Sequence, residues 1–219
     1  MPASKSYRFH GSQIRVLTGF VAESPAQAIT AITAANPPVV TSTAHGLVDG
    51  AVVKLSGIVG PDELNDELFV VIDALPNTFA LADVNASEYD AYVSGGIIET
   101  AELSNFCELT SYNRAPGQKP EDDTTTICST AKDYELGLRD FGTTSIEYLF
   151  APRTAIQTAL QEFDRTGDPI AVKIILPNAG GEMIQIGFVQ SMGESASVGT
   201  SWRGSLTIRN TGSRIDIAA

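Results

Sequence analysis

Short apolar segments with a two-residue period constrain the fold of this chain more than any other feature. Twelve of them are β-branched or alternate between apolar and polar residues: Gln13–Phe20, Val39–Thr43, Ala51–Ile58, Leu68–Ala74, Thr78–Ala82, Glu102–Tyr112, Thr124–Thr130, Asp133–Asp140, Ser145–Phe150, Ala171–Leu176, Met183–Gln190 and Trp202–Asn210. Turn dipeptides such as Asp49-Gly50 and Pro76-Asn77 separate them. This spacing is typical of β-sandwiches and β-barrels rather than of alternating β–α units.

One segment, Pro152–Asp164, has a helical period instead. Its apolar residues form a single stripe at positions i, i+3, i+4 and i+7: Ile156, Ala159, Leu160 and Phe163. We expect Pro152 in the first turn and Gly167 as the left-handed stop. Because a helix this short is marginal alone in water, it must pack on a sheet. The predicted fold class is therefore all-β with one docked helix.

The charge is distributed unevenly and suggests two units. The net charge of the 219 residues is −12, and the stretch from Ala26 to Glu99 holds ten acids but only one base, Lys54. A charge asymmetry of this kind favours two units with different surroundings. We expect the acidic unit to be inserted in a surface loop between Ser24-Pro25 and Gly95-Gly96. The predicted domains are residues 1–25 with 99–219, and an inserted domain over residues 26–98.

Composition and motifs exclude several classes of protein. With 43% apolar and 18% charged residues, the chain is not disordered, and a pI near 4.5 argues against a surface that clamps nucleic-acid phosphates. No apolar run approaches the length of a membrane span, and Met1 to His10 lacks the apolar core of a signal peptide, so we expect the cytoplasm as the compartment. Phosphate-binding glycine loops, zinc-protease motifs, nucleophile elbows and calcium loops are all missing. We expect no enzyme activity, no catalytic residue, no metal and no cofactor.

A few residues each allow a structural and a functional interpretation. His45 is interpreted as a turn histidine bound to backbone, with a metal ligand or general base as the alternative. Cys107 and Cys128 are interpreted as buried thiols, with a disulfide between facing strands as the alternative. Trp202 is a core or interface aromatic. Alternation on its strand places Arg203 and Arg209 on the opposite face, where they contact solvent, another subunit or nucleic acid.

The acidic segment contains the strings Pro38-Val-Val-Thr-Ser-Thr-Ala-His-Gly-Leu, Leu55-Ser-Gly-Ile-Val-Gly and Asn77-Thr-Phe-Ala-Leu. Through them, residues 28–97 resemble a small β-barrel module that is common in bacteriophage tail proteins. This module is similar to the FCCH domain of ubiquitin-activating enzymes. Asp66 stands where the module often has glycine, which changes one turn.

The remainder of the chain, residues 1–24 with 100–219, contains Tyr134-Glu-Leu-Gly-Leu, the helix at Ala155–Phe163, Ala171-Val-Lys-Ile-Ile-Leu-Pro-Asn and Leu206-Thr-Ile-Arg-Asn. These strings and the order of the elements resemble the lambda-type major tail tube proteins of long-tailed phages. The resemblance implies a tail-tube β-sandwich or barrel domain that carries an inserted small β-barrel as decoration. It also implies a structural virion protein whose hexameric rings stack into a non-contractile tail tube, through which the genome passes during ejection.

The same resemblance implies the partners. They are other copies of the chain, further tail proteins (tape measure, terminator and tip) and DNA that passes the lumen without specific binding, with no membrane insertion. The protein would be assembled in the host cytoplasm and located in the virion. We expect an acidic or mixed lumen wall, because a wall that gripped phosphates would obstruct ejection.

The long polar loop Tyr112–Thr124 is the candidate for ring stacking, because long loops in compact domains are usually functional or disordered. Its candidate residues are Tyr112, Arg114, Lys119, Glu121, Asp122 and Asp123. The candidates for subunit or sheet packing are Ile156, Leu160, Phe163 and Trp202. An exposed loop without a partner is the alternative for Tyr112–Thr124.

The alternatives for the whole protein are a tail-tip or receptor-binding component, a tail terminator, and a carboxylate-dependent hydrolase.

Overall fold

The computed structural model describes residues 6–21 and 27–218. Within them lie a short 3₁₀ turn, Asp62–Leu64, and one α-helix, α1 (Ala155–Thr166). The strands are β1 (Gln13–Val21), β2 (Gln27–Ala28), β3 (Ala31–Ile32), β4 (Val39–Thr41), β5 (Val52–Val59), β6 (Leu68–Leu75), β7 (Thr78–Leu81), β8 (Ser94–Asn105), β9 (Leu109–Ala115), β10 (Glu121–Asp123), β11 (Tyr134–Leu136), β12 (Thr143–Leu149), β13 (Pro169–Ile175), β14 (Glu182–Ser195), β15 (Arg203–Asn210) and β16 (Ile215–Ile217). The predicted all-β class with one helix is confirmed for the described residues.

Fourteen of these strands form one antiparallel sheet. Their order is β3-β4-β7-β6-β5-β8-β1-β13-β14-β15-β12-β9, while β2 pairs with β8 and β16 pairs with β14. Strands β10 and β11 form a separate hairpin. The long strand β8 pairs with β5 through its first half and with β1 through its second half. It therefore connects the segment around β3–β7 to the rest of the sheet.

The apolar side chains form two clusters. One cluster lies within residues 29–98 and surrounds Phe79 and Leu81. The other contains the stripe of α1 together with Ile146 and Ile208, and it also takes up four side chains from the acidic segment: Val52, Leu68, Val70 and Ala82. Of the two predicted domain junctions, Ser24-Pro25 lies outside the described residues. At the other, β8 runs on as a regular strand, and the division into domains stays a prediction.

Helix α1 ends as predicted but begins later. Thr154 is the N-cap, so Pro152 lies in the preceding turn and not in the helix. The side chain of Gln157 stabilises that turn, because its Oε1 accepts from Ala151 N and its Nε2 donates to Leu149 O. At the other end, Gly167 has a φ of 76° and its N–H donates to Phe163 O, which confirms the left-handed stop.

Two predicted strands and both cysteine predictions are wrong. The segment Glu102–Tyr112 is broken between β8 and β9, because Phe106 turns its ring into the core. Residues 124–130 form a turn in which Thr126 N donates to Ser129 Oγ, instead of a strand. Cys107 lies in the turn at Phe106 and Cys128 in the second turn, so both thiols are exposed and free rather than buried.

Candidate assembly surfaces

Residues 116–142, here called the arm, connect β9 to β12 and carry the separate hairpin. In it, Glu121 is paired with Leu136 and Asp123 with Tyr134. All six strand residues of the hairpin are exposed. A two-stranded hairpin is at best marginally stable in water, so this arm gains stability from any surface that covers it.

The base of the arm is held firmly by polar contacts. Asp140 pairs with Arg209 of β15 at 2.7 Å and also accepts from Gly142 N at 2.8 Å. The N–H of Asp140 donates to Gln118 O, and the N–H of Asn210 donates to Gly142 O, both at 3.0 Å. The direction in which the arm leaves the sheet is therefore fixed at its root.

One face of the hairpin presents an apolar stripe to solvent. Strand alternation places Tyr134 and Leu136 on the same side, and Leu138 follows just after the end of β11. The two leucines are 63% and 92% exposed. Ile127 at the tip is fully exposed. Asp123 shares this face, and its pKa lies below the ordinary value because the hydroxyl and the N–H of Thr125 donate to its carboxylate. The stripe is thus flanked by a carboxylate that stays ionised.

The six predicted stacking residues separate into two groups. Lys119, Glu121, Asp122 and Asp123 are exposed on the arm. Tyr112 and Arg114 instead belong to β9, where Arg114 Nε donates to Gln185 Oε1 at 3.2 Å and burial raises the pKa of Tyr112. These two side chains lie on the core side of the sheet, because β9 pairs them with the buried residues Ile146 and Thr144 of β12. Sequence reasoning missed Ile127, Leu136 and Leu138, although the alternation of 134–138 indicates the last two.

Trp202 lies at the other end of the same strands. Its ring is 57% exposed and stands 6.1 Å from the ring of Phe150, and Leu149 beside it is 42% exposed. Packing of Trp202 in a core is therefore not observed, whereas Ile156, Leu160 and Phe163 are all buried. We call Leu149, Phe150 and Trp202 the Trp202 patch.

The strand register shows that the arm and the Trp202 patch are at opposite ends. Strands β12 and β15 pair from Thr143↔Arg209, at the root of the arm, to Leu149↔Arg203, beside the patch. Seven residue pairs span this distance, which is about 20 Å for an antiparallel strand. Arg203 forms no ion pair within residues 6–21 and 27–218.

The acidic segment contains two turns that its sequence predicted. His45 Nδ1 accepts from Leu47 N at 3.1 Å, which confirms a turn histidine bound to backbone. Asp66 occupies the left-handed region at φ 63° and pairs with Lys54 at 3.3 Å. Asn65 closes the neighbouring turn, since its side chain accepts from Ile58 N and donates to Ile58 O.

Fold and surfaces together define an antiparallel all-β protein with a projecting arm. The sequence model of the ubiquitin-activating enzyme E1 FCCH domain matches residues 36–102, so the chain contains an FCCH-like module there, as its resemblance implies. The match covers less than half of the chain and characterises this segment alone. No curated protein matches the sequence. The described part has no helix of the length and apolarity that crossing a membrane requires.

Proposed function

We propose that the protein is a structural virion protein, the major tail tube subunit of a long, non-contractile phage tail. In this proposal hexameric rings stack into a hollow tube that conducts the genome during ejection. The observation that supports it most is the placement of two unlike, exposed apolar surfaces, the arm and the Trp202 patch, at opposite ends of the same strands. The resemblance of residues 1–24 and 100–219 to tail tube proteins agrees with it.

Unlike surfaces at opposite ends favour open-ended association. When the arm of one copy covers the Trp202 patch of the next, each pair still has one free arm and one free patch. Such head-to-tail contacts continue into a polymer unless they close into a ring. The contact we propose between rings is mainly apolar, from Leu136 and Leu138 to Trp202. It assigns the stacking contact to apolar side chains of the arm instead of the six candidate residues of the polar loop.

A second free surface is available for contacts within a ring. Strand β9 is hydrogen-bonded to β12 on one side and ends the sheet among the described strands. An open edge presents unpaired N–H and C=O groups that pair readily with another chain. Joining such edges around a ring removes them and turns an aggregation hazard into an assembly contact.

Polymerisation of the purified protein tests the proposal. We expect hollow tubes of uniform diameter by negative-stain electron microscopy. The Leu136→Ser/Leu138→Ser variant should remain folded, with an unchanged melting temperature, and yield single rings or monomers. Val48→Ser/Leu75→Ser is the matched control, because these side chains are similarly exposed, 68% and 62%, but lie in the FCCH-like segment. The control should form tubes. Tubes of normal length from the arm variant would show that the arm does not stack rings.

A further inference from the structure

One exposed face of the sheet differs in chemistry from the rest of the protein. Strands β9, β12, β15 and residues 189–195 of β14 have two sides. On one side Ile146, Leu206 and Ile208 pack in the cluster that contains the stripe of α1. No apolar cluster of the described residues covers the opposite side, here called the hydroxyl face, which consists of the alternate residues of the same strands.

The register aligns short polar side chains in rows across this face. Asn113 pairs with Ser145, Ser145 with Thr207, and Thr207 with Ser191. The next row is Ser111, Glu147, Ser205 and Gly193. Seven of these eight residues are uncharged, and none has a large apolar side chain, so these two rows give a partner no apolar area to bury. Apolar area on this face begins with Leu149, which pairs with Arg203 in the next row.

The charges on the hydroxyl face nearly cancel. Glu147 and Arg203 are exposed and of opposite sign, while Arg209 is neutralised by Asp140 at 2.7 Å. The chain as a whole carries −12, so an almost neutral face is a local property. A surface without excess cations does not attract phosphates, and a surface without excess anions does not repel them.

We infer that the hydroxyl face is the wall past which the nucleic acid moves. This inference rests on the proposed function, and it identifies the partner as a polyanionic phosphate backbone that the wall neither grips nor repels. The wall is then built of serine, threonine and asparagine rows. Because its few charges, those of Glu147, Arg203 and the Arg209–Asp140 pair, are of both signs, it is a mixed rather than an acidic wall. Helix α1, on the other side of the sheet, lies away from the passage.

Size-selective thiol labelling of assembled tubes tests which way the face points. The thiol of Ser205→Cys lies on the hydroxyl face, and the thiol of Ser87→Cys lies at an exposed site in the FCCH-like segment. Both variants are made in a Cys107→Ser/Cys128→Ser background, so that only the new thiol reacts. The probes are a small maleimide and a long polyethylene glycol maleimide. In tubes, we expect Ser205→Cys to react with the small probe and at least tenfold more slowly with the polymer. Ser87→Cys should react with both probes, and dissociated subunits of either variant should react with both.

The outcomes separate the inference from the proposed function. If the polymer labels both cysteines equally fast in tubes, the face points outward and the inference is wrong, while the tube function stands. If neither probe reaches Ser205→Cys in tubes, the face is buried between subunits and the inference is wrong as well. If the wild-type protein forms no tubes, the proposed function fails and the inference falls with it.

The chemistry of the wall is tested by adding a cation. Tubes are assembled in the presence of fluorescent duplex DNA and sedimented. Wild-type tubes should retain little DNA, and Ser205→Lys tubes at least tenfold more at low salt, with the difference lost at high salt. Ser87→Lys is the control with the same added charge outside the passage. Equal DNA retention by the two lysine variants would overturn the inference.

Discussion

At the scale of single residues, the contact between Gly204 and Tyr148 illustrates how tightly this core is built. The two residues are directly paired across β12 and β15. The Tyr148 side chain is 1% exposed, and its ring stands 5.1 Å from the ring of Phe106. The ring lies over Gly204 in the space that any larger residue there would occupy. Tyr148 and Gly204 therefore function as a complementary pair.

We expect Gly204→Ala to destabilise the protein by about 1–3 kcal/mol, because overpacking a tight core costs about that much. The added Cβ would overlap the Tyr148 ring, which is held between neighbours and cannot simply move away. Urea unfolding measures the change. Gly19→Ala is the control, since its Cβ would meet no atom within 4 Å. Equal free energies of unfolding for the two variants would contradict the close contact.

Tyr148 also predicts a dependence of stability on alkaline pH. The pKa of Tyr148 is raised above its ordinary value, mainly by burial and to a smaller extent by the nearby Glu194 carboxylate. A tyrosine whose pKa is raised in the folded state stabilises it fully below about pH 10 and loses that contribution as the pH rises through the folded pKa. Tyr148→Phe should therefore lose less stability than wild type between about pH 8 and pH 11. Tyr134→Phe, on the exposed arm, is the control and should follow wild type in the same urea titrations.

At the scale of elements, α1 and the arm show two ways in which a short element is stabilised. The helix has 12 residues and its apolar stripe is buried against β1 and β14. Its periodicity identifies the stripe from sequence alone, because residues three and four apart share one face. The hairpin of the arm has its apolar side chains in solvent. Its covering surface belongs, in our proposal, to another copy of the chain.

The end of α1 offers a prediction that separates backbone conformation from packing. Gly167→Ala should lower stability by about 1 kcal/mol, because only glycine adopts its φ of 76° without strain. Apart from its chain neighbours, no described residue has an atom within 4 Å of the added Cβ, so packing does not contribute. Gly167→Asn should recover part of the loss, since asparagine tolerates the left-handed region. Thermal unfolding measures both variants, and equal losses for alanine and asparagine would contradict this account.

At the scale of the whole molecule, the FCCH-like segment contacts the rest of the described chain, here called the body, through hydrogen bonds and buried side chains as well as through its chain connections. Lys173 Nζ of β13 donates to Gly50 O at 3.1 Å, and Ser213 N donates to Asp83 Oδ2 at 3.0 Å. Four apolar side chains of the segment belong to the body's core. These contacts hold the segment against the body along a continuous sheet.

We therefore expect removal of the segment to damage the body. Phe20↔Ala101 and Val21↔Thr100 are paired, so a short turn can join residues 21 and 100 in place of residues 22–99. The shortened chain should lose at least about 3 kcal/mol or fail to fold, because several buried side chains are removed from its core. Urea unfolding followed by circular dichroism measures the change. A shortened chain as stable as the full protein would show that the segment is only a decoration.

Several features could not be predicted from the sequence, because they depend on contacts between distant segments. Strands β2, β3 and β16 have two or three residues each, which is too short for a period to show. The break at Phe106 and the exposure of Cys107 arise because the core offers a site for that ring. Tyr112 and Arg114 lie on the core side of the sheet because of the register of β9 with β12. The apolar stripe of the arm is visible as an alternation, but only the structure shows that nothing in the described chain covers it.

The sequence by itself determined the all-β class, the stripe and left-handed stop of α1 and the FCCH-like segment. These depend on periods, turn residues and strings that are local in the chain, so they can be recognised without knowing what each element contacts. Only the tertiary structure decided the strand order, the sharing of core residues between the acidic segment and the body, and the placement of the arm, the Trp202 patch and the hydroxyl face. Those properties depend on register between segments far apart in sequence, and shifting a strand by one residue exchanges its two faces.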